Sequence, residues 1–410
     1  MPFPLPLESL LGKPLMYVLF AVIGFGFGFA LEISGFGNSR KLAAQFYFKE
    51  LTVLKVMFTA IIVAMVLIFA SSALGLLDFN QVWVNPTYLW SGIVGGLIMG
   101  VGFIVGGFCP GTSLVAAVTA KVDGMFFVLG VLIGIFLFGE TEQFYDQWWN
   151  GSYYGRLTIP DWLNLPTGVV VVGVVLMALF MFWGGEHLER IFGGRDLKSE
   201  PRMRYAGAAA LVAVAVAVML IGQPTTEDKW ALVAPEKEVA LAERQVQIHP
   251  GELLDLMAND RVRVVVTDVR PENEYNLFHI EGAQNRPLES LPDVLPELHA
   301  SQALNTVFVV VSNDEGAASD AWKLLSAESV PNSYILEGGV NQWISTFGAD
   351  DPLLQSTAAP ASYDSVRYQF GAALGDRYAA ARPNPHEWEL EFLPKVQLQV
   401  QRDKSGGGCG

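Results

Sequence analysis

Apolar positions change their rhythm partway along the chain. Up to residue 222 they come in long unbroken runs, at roughly 15–33, 51–77, 88–108, 124–139, 167–185 and 205–222. A helix crosses the hydrocarbon core of a bilayer in about 20 residues, so each run is long enough, or nearly so, to span it. The link 109–123 has two readings, a plain loop or a re-entrant half-helix, because Leu114 to Ala120 is small and apolar. Residues 223–244 turn polar and charged and are expected to form a linker. Beyond them the apolar runs shorten. Arg263 to Val269, Asn305 to Val311 and Asn332 to Leu336 have the length and β-branching of strands, and helical patterns at 250–259 and 315–327 lie between them. That alternation predicts a parallel sheet. Residues 351–410 form an extension without an evident core, although Val396 to Val400 alternates as a short added strand would. The expected fold is an α-helical membrane domain over 1–222, with about six transmembrane helices, followed by a soluble α/β domain over 245–350.

Composition sharpens this picture. Hydrophobic residues make up 51% of the chain and the mean hydropathy is +0.35, with the excess concentrated before residue 223. The net charge of −15 excludes the usual nucleic-acid binders, which are basic. Lysine and arginine mark the cytoplasmic side of membrane proteins. Here they cluster after the first run (Arg40, Lys41, Lys49, Lys55), the third (Lys121) and the fifth (Arg190, Arg195, Lys198, Arg202, Arg204). The link after the second run has none, and the one after the fourth has only Arg156. Both termini, and with them the α/β domain, are therefore expected outside the cytoplasm. Met1 to Lys13 lacks the basic start of a cleavable signal peptide. Phe144, Tyr145, Trp148, Trp149, Tyr153 and Tyr154 resemble an interfacial aromatic belt. The histidines are scattered without ligand spacing, so no metal or other cofactor is expected.

The chemistry concentrates at Gly102 to Ser113, where a glycine-rich apolar run meets Cys109-Pro110-Gly111-Thr112 and Lys121 follows. Pro110-Gly111 is expected to break the helix. Irregular backbone at membrane depth is tolerated only where protein buries it or where it lines a cavity. An internal repeat at an offset of 74 matches Gly26, Gly28, Phe29, Gly37 and Ser39 to Gly100, Gly102, Phe103, Gly111 and Ser113, and sets Gly35 opposite Cys109. Repeats that place broken helices near the midplane are a recurring transporter design. Gly92, Gly96 and Gly100 are spaced for close helix packing. Glu32, near the inner end of the first run, is either functional or interfacial.

The stretch Gly106-Gly107-Phe108-Cys109-Pro110-Gly111-Thr112, with Lys121-Val122-Asp123-Gly124 after it, resembles the YeeE/YedE family of sulfur transporters. In that family glycine-flanked cysteines at helix breaks pass thiosulfate or related sulfur species. The resemblance implies a multi-pass protein of a bacterial inner membrane. It assigns the substrate path to Cys109, with Gly107, Pro110, Gly111, Thr112 and Lys121 around it. A second resemblance covers about 245–350. Asp268-Val269-Arg270-Pro271-Glu272, His279-Ile280-Glu281-Gly282-Ala283 and Glu337-Gly338-Gly339-Val340-Asn341-Gln342-Trp343 are similar to a rhodanese domain. A rhodanese takes sulfur on a cysteine after its central strand, where helix N-terminal amides hold the anion. Here that loop is Ser312-Asn313-Asp314-Glu315-Gly316. Serine is a poor sulfur acceptor, and Asp314 and Glu315 are expected to repel an anionic donor. The domain is therefore expected to lack the usual sulfurtransferase activity, with Asp268 and Arg270 serving the fold. The C-terminal Gly406-Gly407-Gly408-Cys409-Gly410 resembles the swinging arm of the Sox sulfur carrier protein, which makes Cys409 a candidate sulfur carrier.

The expected function is transport of thiosulfate or a related small sulfur anion through the lipid bilayer. A sulfur-handling partner protein or a second copy of the chain is a further expected contact. An accessory docking subunit of a membrane complex, or a sulfurtransferase working through Cys409, are the alternatives.

Overall fold

The computed structural model describes residues 3–194, 203–300, 305–357, 363–388 and 390–398. They divide into two compact units, one ending at Gln223 and the other beginning at Pro224.

The first unit has six spans long and apolar enough to cross a membrane. Its helices are α1 (Leu7–Ile33), α2 (Ser39–Ala44), α3 (Thr52–Ala73), α4 (Leu89–Gly106), α5 (Pro110–Val118), α6 (Val122–Thr141), α7 (Asp146–Asn150), α8 (Ile159–Leu163), α9 (Thr167–Phe192) and α10 (Met203–Ile221). They pack as two groups. α3, α9 and α10 close on Val66, Val171, Val175 and Ala215. Gly168 permits that approach, because a Cβ there would lie 2.5 Å from the Met219 Cα. Glu189 of α9 is fully buried; it accepts from the Leu51 amide and from Lys55 Nζ, each at 2.5 Å, and so ties α9 to the start of α3. The second group, α1, α2, α4, α5 and α6, meets at Phe36, Leu42, Phe108 and Ala116. The aromatic Phe144, Trp148, Tyr153 and Tyr154 are exposed, as a belt requires. The expectation for Gly92, Gly96 and Gly100 fails: a Cβ on any of them would meet nothing within 4 Å. Their spacing is right for packing, but among the described residues nothing lies within 4 Å of those positions.

The second unit is a five-stranded parallel sheet in the order β1-β5-β4-β2-β3. The strands are β1 (Gln247–Ile248), β2 (Arg263–Asp268), β3 (Gln284–Asn285), β4 (Thr306–Val311) and β5 (Ser333–Leu336). The helices are α11 (Thr226–Ala242), α12 (Pro250–Met257), α13 (Glu272–Leu277), α14 (Leu291–Ala300), α15 (Gly316–Ala327) and α16 (Gly339–Phe347). β4 is buried along its whole length, which explains its unbroken apolar sequence. Its successive side chains alternate between two cores. Val307, Val309 and Val311 face Leu253, Trp343 and Ile344, while Phe308 and Val310 face Ala321, Trp322 and Leu325.

Two expectations are corrected here. Residues 223–244 are mostly helix α11 rather than linker. Thr225 and Asp228 form a capping box, Trp230 and Leu241 pack into the α15 core, and Lys229 pairs with Glu328 at 2.6 Å. The extension after 350 also has a core. The antiparallel pair β6 (Leu354–Ser356) and β7 (Tyr368–Phe370) forms a separate two-stranded sheet within it, and Leu354, Tyr378, Ala380 and Ala381 are buried in one core with the five-stranded sheet. Among its described residues, 396–398 form no strand; Lys395 and Val396 instead donate their amides to Glu252 Oε1 at 2.7 and 2.8 Å. Gln399 and Val400 lie outside the described residues.

Candidate functional site

The helix break that carries the thiol is made by Gly107, not by Pro110-Gly111. Gly107 caps α4 in the left-handed region, φ 71°, with its amide returned to the Phe103 carbonyl. Glycine takes this conformation without the penalty a Cβ brings. Pro110 then starts α5 at its first position, where a missing N–H costs nothing, and Gly111 lies inside that helix. Of the two readings of 109–123, the half-helix is the one that forms. It folds against α6, with Ala116 over Gly124, where an added Cβ would lie 2.4 Å away.

Cys109 is the N-cap of α5. The Thr112 amide points at its Sγ at 3.5 Å. Thr112 is buried and holds the cysteine backbone from both sides. Its Oγ1 accepts from the Cys109 amide at 3.0 Å and can donate to the Cys109 carbonyl at 3.2 Å. The thiol is half-buried, beside the positive end of the α5 dipole. Lys121 follows α5, so a nine-residue helix, about 14 Å at 1.5 Å per residue, separates it from Cys109. Its Nζ reaches the first repeat, where a Cβ on Gly37 would lie 2.7 Å from it.

The first repeat supplies the other side of this arrangement. After α1, Gly35 is left-handed (φ 79°), Phe36 is buried, and Asn38 caps α2. By role, Gly35 therefore matches Gly107, Phe36 matches Phe108 and Asn38 matches Cys109. The offset of 74 misassigns the thiol's counterpart because one more residue, Gly37, lies between glycine and cap. The two breaks interlock. Phe36 and Phe108 share one core, and a Cβ on Gly107 would come within 3.1 Å of the Ser39 Cβ. Ser39 Oγ donates to Asp123 Oδ2 at 2.7 Å, and Lys121 Nζ lies 3.5 Å from Glu32 Oε1. Glu32 therefore faces the second repeat. Sequence spacing had no means of showing that Glu32, Ser39 and Asp123 join this site.

In the α/β unit, Ser312 is fully buried and its hydroxyl accepts the Ala318 amide at 3.2 Å. Glu315 is not the free repelling charge expected of it. Arg244 binds both its oxygens, at 2.8 and 3.2 Å, and the Gly338 amide donates to it at 2.8 Å. That carboxylate, with Glu337, holds the Arg244 guanidinium above its ordinary pKa. Asp314 faces Arg367 at 3.4 Å. Asp268 and Arg270 are both buried and bonded to each other. Among the described residues no cluster of His, Cys, Asp or Glu is arranged to hold a metal ion. Cys409 and its glycine arm lie outside the described residues.

Two interlocked helix breaks lie in a unit with six spans long and apolar enough to cross a membrane, and a parallel α/β domain follows it. The chain's family follows from comparison. The sulphur transport family model matches residues 34–246, and the chain belongs to that family. The rhodanese-like domain model matches residues 249–346. Comparison with curated proteins and with solved structures finds no match.

Proposed function

We propose that the chain carries thiosulfate or a related small sulfur anion across a bacterial inner membrane, with Cys109 as the contacting group. The observation that carries this is a half-buried thiol as N-cap of a broken helix, inside a unit matching the sulphur transport family. A thiol is compact, weakly polar and polarizable, which suits a soft sulfur anion. The helix N-terminus beside it favours negative charge. Lys121, beyond the other end of α5, supplies a cation for the same anion, with Glu32 as its partner when no anion is present. Gly107, Pro110, Gly111 and Thr112 set the backbone that presents the sulfur. The test is uptake of labelled thiosulfate by cells without a thiosulfate carrier of their own. Cells making this chain should accumulate label well above controls. Equal accumulation would favour an accessory, docking role instead.

Both termini are placed in the periplasm on the strength of the lysine and arginine distribution. A periplasm-dependent reporter fused after Gly410 should be active and a cytoplasm-dependent one silent. The reverse result would overturn this orientation. The rhodanese-like domain then faces the periplasm, where it serves as a platform for a sulfur-handling partner and not as a sulfurtransferase. The buried serine in place of the sulfur-accepting cysteine supports that assignment.

A further inference from the structure

The loop after β4 is only partly open to solvent. Residues 363–367, from the extension that follows the rhodanese-like match, lie across it. The Asp364 carboxylate accepts the backbone amide of Asp314 at 2.8 Å, and its carbonyl accepts Asn313 Nδ2 at 2.8 Å. The Tyr363 ring lies on Gly316, at the start of α15, where a Cβ would come within 2.9 Å of it. Its hydroxyl donates to Asp320 at 2.6 Å. That carboxylate pushes the phenol pKa up to about 12. Further along, Ser365 and Arg367 bond Asn341 of α16 through their backbone, at 2.9 and 2.8 Å. The segment thus spans from the start of α15 to the start of α16, and Ser312, in the loop it crosses, is buried.

The chemical meaning lies in which group binds which amide. Amides of a loop leading into a helix N-terminus form an anion cradle. In a sulfurtransferase such a cradle holds the sulfur-bearing anion. Here a carboxylate of the same chain takes one of those amides. We propose that residues 363–367 are a built-in occupant of the rhodanese-like loop, with Asp364 held where an anionic ligand would bind. The loop is closed in cis, and a cysteine restored at 312 would still be sealed from thiosulfate. This deepens the non-enzymic role proposed for the domain and is independent of whether the membrane unit transports.

The test uses the full chain in detergent, with Cys109→Ala and Cys409→Ala so that Ser312→Cys carries the single thiol. Its reaction with an aromatic disulfide reagent should be slow. Adding Tyr363→Ala and Asp364→Ala should speed it by at least about tenfold, as release of a local closure does. Asp364→Asn alone keeps an acceptor oxygen and should stay near the slow rate. Equal rates with and without the segment's side chains would overturn the proposal. A second measurement needs no thiol at a buried position. In the otherwise unaltered chain, hydrogen exchange at Asp314 and its neighbours should quicken in Asp364→Ala while β4 stays protected. Unchanged exchange at Asp314 would also overturn it.

Discussion

Cells making the Cys109→Ala chain should take up no more labelled thiosulfate than cells without the chain, while membrane insertion and protein level match the unaltered protein. Cys109→Ser should do the same, because a hydroxyl keeps the cap but not the polarizable contact. A loss of about 100-fold corresponds to roughly 2.7 kcal/mol on the transport barrier. The cap geometry explains why the fold should survive. Serine is a better helix N-cap than cysteine, and α5 keeps its packing through Ala116 and Gly124 in either variant. Thr112→Val supplies a graded arm. It leaves the Cys109 amide without its acceptor, at a cost of about 1–3 kcal/mol, and should lower uptake without eliminating it. Thr112→Ser should restore it. A cysteine that merely fills space predicts the opposite pattern, with normal uptake or loss only in step with protein level. Full uptake by Cys109→Ala would remove Cys109 from the mechanism.

The sequence made the membrane runs legible because lipid-facing and buried helix positions are both apolar, so whole spans stand out from their links. β2 and β4 were legible for the related reason that a parallel strand packed in a core is a run rich in β-branched residues, while β5 was marked by its apolar Tyr334 to Leu336. β1 and β3 were not, being two residues long each. α11 was hidden because so little of it is apolar contact. Trp230 and Leu241 dock it, and most of the rest is solvated, so its composition matches a linker's. The core of the extension was hidden by small residues, since Ala380 and Ala381 carry no hydropathy signal strong enough to mark burial. Cys109 and its partner Thr112 were found by residue type and neighbours, but the contacts across the two breaks were not. Ser39 and Asp123 are 84 residues apart, and no local pattern encodes that pairing. The same limit applies to Asp364 and Asp314, 50 residues apart, whose bond brings a third carboxylate to the acidic loop.

Arg270→Met should unfold the α/β unit locally far more than a surface arginine change would. Arg270 Nε and Nη2 hold the Asp268 carboxylate at 2.9 and 2.6 Å, and Nη2 also donates to the Phe278 carbonyl at 2.7 Å. One guanidinium thus joins the end of β2 to the segment after α13, and Nη1 reaches Asn313 at 3.4 Å. Both side chains of the pair are 1% exposed. Removing the arginine leaves a buried carboxylate with no counter-charge, which costs about 3–5 kcal/mol. At roughly 1.4 kcal/mol per decade, amides of β4 should exchange about two to four decades faster in the full chain. Asp268→Asn added to Arg270→Met removes the stranded charge. It should recover a large part of that loss, because an ion pair deleted as a unit costs less than its broken half. If the pair were a catalytic acid and its positioner, the single change would leave β4 protection intact. If it is a fold device, protection falls with Arg270→Met and returns in part with the double change. Equal protection in all three chains would show that the pair contributes nothing to the domain's stability.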